Sequence, residues 1–218
     1  AGFDPARAHQ LYAHAWLLQG DANRALTEAA KAGAPYSGYA IRIGARALAA
    51  QGDVAGAQAA LSTLLADAPK DSFAWSDLGR IKYQAGDIAG AIESAQRAVD
   101  LDADNVEAIT LRGELVRGQY GLIAALPWFE IALGHDAYYH PALIEYAATL
   151  GDVGRYTDML AATRKALAAR PGSPQALYLQ AVLAARAGKD DLARTLLART
   201  GGQLNAMPGA RLLSGTLA

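Results

Sequence analysis

Two histidine pairs and one acidic run are the places where this chain could do chemistry. His135 and His140 flank Asp136, Tyr138 and Tyr139, side chains able to hold a metal or move a proton. Their spacing does not bring two ligands onto one helical face, and the segment reads as a turn. His9 and His14 share that spacing. Asp100, Asp102, Asp104 and Glu107 resemble a calcium loop. The glycine such a loop needs at its sixth position is Asn105, and the bidentate glutamate needed at its twelfth is Leu111. A polar turn is the better reading. The absence of cysteine removes disulfides, thiolate metal sites and thiol nucleophiles together. Glycine is plentiful, but none of it follows a strand in a phosphate-binding pattern, and Ser, His and acidic residues show no triad spacing. The expectation is a chain without catalytic residues, cofactor or metal.

The composition allows a sizeable core and narrows the partners. The 218 residues are 52% hydrophobic and 19% charged, enough apolar side chain to bury a core and to exclude a disordered chain. A net charge of -1 argues against a dedicated nucleic-acid binder, which draws most of its affinity from basic patches. No run approaches the roughly 18 apolar residues of a membrane span. The chain opens Ala1-Gly2 without Met, so it is expected to be either processed or cut from a longer sequence; any targeting segment would then already be gone, and a soluble chain of the cytoplasm or of the periplasm fits equally.

What must position any binding residues is a repeating element. Ser72 to Asn105 reads SFAWSDLGRIKYQAGDIAGAIESAQRAVDLDADN, two short amphipathic helices joined at Ala85-Gly86-Asp87. The pattern restarts at Gly38, Ser72, Val106, His140, Pro174 and Pro208, each 34 residues after the last, with a shorter first unit from about Ala6. The eighth position is Ala13, Ala45, Gly79, Gly113, Ala147, Ala181 and Gly215. The twentieth is Ala25, Ala57, Ala91, Ala125, Met159 and Ala193. Small residues are needed where the two helices of a hairpin cross; Met159 departs from the pattern and predicts a looser crossing.

A helix–turn–helix period of about 34 is that of the tetratricopeptide repeat. The chain resembles that family over essentially its whole length, most fully through Trp75, Leu78, Gly79, Ala91 and Ala98. The family's aromatic at position 24 survives only as Phe129, and its proline at position 32 only as Pro69 and Pro171. The resemblance implies an all-α fold, an alpha-alpha superhelix that is a right-handed solenoid of antiparallel helix pairs. Its expected form is one array over 1–218, with repeats 6–37, 38–71, 72–105, 106–139, 140–173 and 174–207 and a partial or capping unit 208–218.

Local signals agree with helical hairpins. Asp21, Asp53 and Asp87 follow glycine where a side-chain oxygen can cap a second helix. Pro141, Pro174 and Pro208 fall in first turns, where a missing N–H costs little. Gly86, Gly118, Gly154 and Gly188 are expected at the turns between paired helices. Pro127 falls inside a second helix, which is expected to start late or bend there. Leu212, Leu213 and Leu217 are apolar for the outer face of a cap, favouring an array cut short at Ala218.

Positions 4, 7, 8 and 11 of each first helix carry the packing residues, and positions 2, 5, 9 and 12 form a second stripe. In the tetratricopeptide family that stripe lines the concave surface, which implies a peptide-binding groove here. Its residues are Arg7, Gln10 and His14; Tyr39, Arg42 and Arg46; Phe73, Ser76, Arg80 and Tyr83; then Glu107, Thr110, Glu114 and Arg117. Ile144, Ala148, Gln175, Tyr178 and Val182 follow, and of these Tyr178 is the candidate contact. Asp77 reads as beside the stripe. Arginine with tyrosine or phenylalanine suits an acidic or carboxylate-bearing peptide; the alternative is a solvated face with arginine stems over apolar surface. The family's chaperone-tail clamp uses Lys and Asn, and the Asn residues are missing. Three functions fit. One is a non-catalytic protein-interaction scaffold binding a peptide or helix, without nucleic acid or membrane span. A second is a module of a larger enzyme or of an envelope or secretion assembly. The third is a solenoid that pairs with a second copy through an exposed end.

Overall fold

The structure, a computed structural model, describes residues 5–33 and 36–217; Ala218, where the last expected unit ends, lies outside the described residues. Among the described residues there are thirteen α-helices and no strand. They are α1 Pro5–Leu18, α2 Ala22–Ala29, α3 Ser37–Ala50, α4 Val54–Asp67, α5 Ser72–Gln84, α6 Ile88–Leu101 and α7 Val106–Tyr120. The remainder are α8 Leu122–His135, α9 His140–Asp152, α10 Tyr156–Ala169, α11 Pro174–Arg186, α12 Asp190–Ala198 and α13 Pro208–Thr216. The fold class is an all-α solenoid of paired helices. The chain divides into two compact units, Ala1–Leu111 and Arg112–Ala218.

In the first unit, hairpins α1–α2, α3–α4 and α5–α6 follow one local recipe. Gly20, Gly52 and Gly86 adopt positive φ of 83°, 87° and 84°, which reverses the chain without a Cβ penalty. The aspartate that follows each glycine caps the second helix. Asp21 accepts from the Arg24 N–H at 3.0 Å, and Asp53 and Asp87 accept from Gly56 and Gly90 N–H at 2.9 Å. Ala45, Ala57, Leu61, Leu65, Leu78 and Ile81 make the core of the middle hairpins. At Gly79, α5 lies close against its neighbours. A Cβ there would stand 3.0 Å from Leu111 Cδ2 and 3.3 Å from the Ala91 carbonyl oxygen. Buried Asn105 joins successive repeats: its amide donates to Ser72 Oγ at 3.2 Å and Ser76 Oγ at 3.1 Å, and its oxygen caps α7 through the Ala108 N–H.

The second unit shows where local detail departs from expectation. Gly118 lies inside α7, and the left-handed turn residue is Gly121, with φ 91°, because α7 runs on to Tyr120. Gly154 and Gly188 do take the turn, at φ 80° and 68°. Helix α8 does not start late: it begins at Leu122, five residues ahead of Pro127, which sits inside it. Pro141, Pro174 and Pro208 occupy first turns, and Ser173 caps α11 through the Ala176 N–H. Met159 does not loosen its hairpin. It is buried against Leu126, Ala147, Leu150 and Ala162, and Gly151 makes its room: a Cβ at 151 would lie 2.8 Å from the Met159 sulfur. Gly113 does the same for buried Phe129, with 2.6 Å between a built Cβ and Cε1. The three C-terminal leucines are not one outward face. Leu217 is buried with Leu177, Ala181 and Leu196, Leu213 packs beside it, and only Leu212 is exposed.

Candidate functional site

The stripe of the first unit is built by the repeat itself. Positions 34 residues apart stack on successive first helices, so Tyr39, Phe73 and Glu107 share one register and Arg42, Ser76 and Thr110 another. The structure gathers Tyr39, Arg42, Arg46, Phe73 and Glu107 around Asp77. Arg42 Nε donates to Asp77 Oδ2 at 2.7 Å, and Arg46 Nε donates to Asp77 Oδ1 at 2.6 Å. Arg46 Nη2 reaches Glu107 Oε2 at 2.5 Å, and Arg42 Nη2 stands 3.5 Å from the same oxygen. The Arg42 guanidinium lies 5.0 Å from the centre of the Phe73 ring and 6.0 Å from that of Tyr39. Tyr39 in turn hydrogen-bonds His14 Nδ1 of α1 at 2.5 Å. Four successive first helices are tied into one network.

Two guanidiniums facing two carboxylates compensate each other, so the expected basic–aromatic patch is neutral where these four groups meet. Asp77 is the centre of the cluster, 3% exposed, not a bystander at its edge. Burial pushes its carboxyl upward from the ordinary value, while Arg46 and Arg42 pull it back. His14 is held below the usual imidazole value by burial and by the Arg46 charge. Burial raises the Tyr39 hydroxyl. Phe73 remains exposed, Glu107 and Arg46 are half-buried, and Arg42 is buried.

The other expected stripe residues divide by burial. Arg7 is exposed on α1, and Gln10, Arg80 and Tyr83 are half-buried. Ser76 and Thr110 are not presented to a partner: both are buried, and each hydroxyl donates to a backbone carbonyl one turn back, Ser72 at 3.0 Å and Val106 at 2.7 Å. Glu114 is buried. In the second unit Arg117 builds a separate cluster. It donates to Glu145 at 2.6 Å and to Thr149 Oγ1 at 2.9 Å, with the Phe129 ring 5.8 Å away. Tyr178 is half-buried, and its hydroxyl lies close against Gly209 of α13.

Sequence reasoning missed the central roles of Asp77 and Glu145. Both occupy the sixth repeat position, which reads Leu11, Ile43, Asp77, Leu111, Glu145 and Leu179. An acid in a register that is otherwise Ile or Leu was the available signal, and each acid takes an arginine from the preceding repeat. The histidines find local partners: His9 meets Glu28 at 2.7 Å, and His140 Nε2 meets Ser173 Oγ at 2.9 Å. No group of three or more His, Asp or Glu among the described residues is placed to hold a metal ion. No helix among them is long and apolar enough to cross a membrane.

An array of helical hairpins in fixed register, with charged and aromatic side chains gathered on the first helices, defines a repeat scaffold. A family model of the tetratricopeptide repeat matches residues 44–106 and 147–202, more than half of the chain, and the chain belongs to that family. Membership makes it a protein–protein interaction scaffold. No curated protein matches the chain by sequence. Solved structures do match in fold. The APC/C hetero-tetramer Cut9–Hcn1 superposes with a TM-score of 0.77 at 18% identity, over 97% of this chain and 42% of that one. PilF of Pseudomonas aeruginosa gives 0.66 at 16% identity over 97% of both chains. YrrB, a TPR protein with an unusual peptide-binding site, gives 0.53 at 16% identity over 81% of this chain and 90% of that one.

Proposed function

We propose that the chain is a non-catalytic scaffold whose first unit binds an extended or helical segment of another protein along α1, α3 and α5. The observation that carries this reading is the Arg42–Asp77–Arg46–Glu107 network with Phe73 exposed beside it. The network fixes the arginines on rigid helices, and the aromatic ring offers flat apolar contact at little conformational cost. Arg7 and Tyr83 extend the same stripe. Glu107 is half-buried at the network's edge and occupies the place a ligand carboxylate would take on Arg46. An acidic segment therefore binds by exchanging its own carboxylate for Glu107, with Phe73 under its apolar side chains.

Peptides selected from a random display library on the immobilised chain test this, with affinities then measured by fluorescence anisotropy. The expected peptides are carboxylate-rich. Phe73→Ala weakens them by about tenfold, the order of one lost aromatic contact. Glu107→Gln tightens them, because a competing charge is gone. Arg97→Ala, on the exposed side of α6, leaves them unchanged. Equal binding to Phe73→Ala and the unaltered chain removes this reading.

A further inference from the structure

Arg112 is the one place among the described residues where a buried side-chain nitrogen or oxygen finds no hydrogen-bond partner: its Nε–H is out of water and meets no acceptor. Burying such a donor costs stability, and the fold does not ask for it here. Arg112 holds the seventh repeat position, which elsewhere reads Tyr12, Gly44, Leu78, Tyr146 and Gln180, and Leu78 fills it as core. Its neighbour is Trp128 of α8, with the guanidinium 5.1 Å from the ring centre. Trp128 stands at the twenty-third position, where the other repeats have Glu28, Ala60, Ser94, Ala162 and Leu196. Cation and large ring thus occur together in one repeat. What stays open on the pair is a set of donors. The two Nη groups of Arg112 and the indole N–H of Trp128 make no hydrogen bond among the described residues, and all of them reach the surface. Arg117, half-buried like Arg112 and also beside a ring, holds Glu145. Trp75 gives its indole N–H to the Pro69 carbonyl at 3.0 Å. Arg112 and Trp128 have no such acceptor.

We propose that Arg112 and Trp128 form a docking site for the carboxylate of an aspartate or glutamate side chain on a partner protein. Stacking on the indole fixes the guanidinium plane, and the two Nη groups it presents to solvent match the two oxygens of a carboxylate. The surroundings select an acidic peptide over a phosphate. One cation balances one carboxylate, and the residues one turn before and after Trp128 on α8 are Ala124 and Ile131, both exposed and apolar. The bound acid is therefore flanked by leucine-like or isoleucine-like side chains. The site goes beyond the first-unit stripe. It lies in the second unit, and helical geometry puts Arg112 on the other side of α7 from Glu114 and Arg117.

The test uses the full chain carrying Phe73→Ala, which removes the contact assigned to the first unit. Peptides are selected on it from a random display library and their affinities measured by fluorescence anisotropy. They are expected to carry Asp or Glu beside a branched apolar residue. Arg112→Gln weakens them by at least about tenfold. Changing the peptide's acid to its amide does the same, and the two changes together cost no more than either alone. Arg112→Lys does not rescue binding, because an ammonium lacks the planar fork and the stacking. The chain has three tryptophans, so Trp128→Phe identifies the Trp128 indole N–H resonance, which is expected to shift as peptide is added. Stability separates docking from a structural role. Arg112→Leu, which copies Leu78 of the preceding repeat, abolishes peptide binding and raises Tm by about 2–4 °C, since the unpaired buried N–H is gone. An arginine kept for the fold would lower Tm when removed. Selected peptides indifferent to Arg112→Gln, a Trp128 resonance that does not move, or a fall in Tm for Arg112→Leu would each overturn the proposal.

Discussion

Replacing Asp77 by alanine separates a structural role for the buried network from an ornamental one. Asp77 takes the Nε–H of both Arg42 and Arg46 at 2.7 and 2.6 Å. Without it, buried Arg42 keeps only a 3.5 Å approach to Glu107, its ring contact with Phe73 and a more distant one with Tyr39. Breaking a buried ion pair from one side costs about 3–5 kcal/mol, because a charge is left without a partner. Arg46 is half-buried and can turn toward water, so the low end applies, about 3 kcal/mol. For a chain of this length that is a fall in Tm of about 6–12 °C. The assay is thermal unfolding followed by circular dichroism at 222 nm, with urea unfolding as a second measure. Removing the whole buried pair has a different outcome. The double variant Asp77→Leu, Arg42→Met places Leu where the neighbouring repeats have Ile43 and Leu111, and it is expected to return to within about 1 kcal/mol of the unaltered chain. A loss under about 1 kcal/mol in Asp77→Ala would refute the reasoning, since the two arginines would then be satisfied without it.

Other expectations follow from close packing and titration. Gly113→Ala drives a methyl into the Phe129 ring and is expected to cost about 1–3 kcal/mol, with Phe129→Leu recovering part of the loss in the double variant. Ala91→Phe, at a fully buried crossing, is expected to lower stability by a similar amount, read by urea unfolding. Asn105→Ala leaves the hydroxyls of Ser72 and Ser76 without their amide donor and is expected to cost about 1–3 kcal/mol, with the earliest loss of hydrogen-exchange protection at the start of α7. His14 and His140 are both held below their unfolded value by burial, so the unfolded chain binds protons first as pH falls. Stability is therefore present above the unfolded histidine value and declines as pH drops through it, and a His14→Gln, His140→Gln variant should show a flatter Tm between pH 7.5 and 5.5.

The architecture was legible because the repeat states the same instruction several times. Glycine then aspartate at 20–21, 52–53 and 86–87 specified turn and cap from local chemistry alone, and the structure places them so. The small eighth and twentieth positions specified close crossings. What escaped was compensation between distant residues. Met159 read as a defect because its partner Gly151 lies outside the two positions that carry the small-residue pattern. Gly118 read as a turn although it stands two positions ahead of the register that Gly86, Gly154 and Gly188 share; α7 has 15 residues where α5, α9 and α11 have 13, and the turn falls at Gly121. Arg42 and Arg46 read as a free basic surface because their counter-charge sits one repeat later, at a position that is apolar in the flanking repeats. The stripe residues share one helical face, and Asp77 lies beside that face, buried on α5.

That placement makes the repeats non-interchangeable. The buried core is rich in alanine and leucine, and contacts between such side chains carry little that tells one repeat from the next. Arg42 accepts only a neighbour with an acid at the sixth position, and Ile43 and Leu111 mark the flanking repeats as wrong ones. During folding, a slip of one whole period would set Arg42 against Leu111 in place of Asp77 and leave its charge without a carboxylate. The network thus acts as a key that counts repeats. A chain lacking residues 72–105 keeps the period but loses the key, and it is expected to refold to a mixture of registers, visible as multiple amide resonances for α3, where the intact chain gives one set.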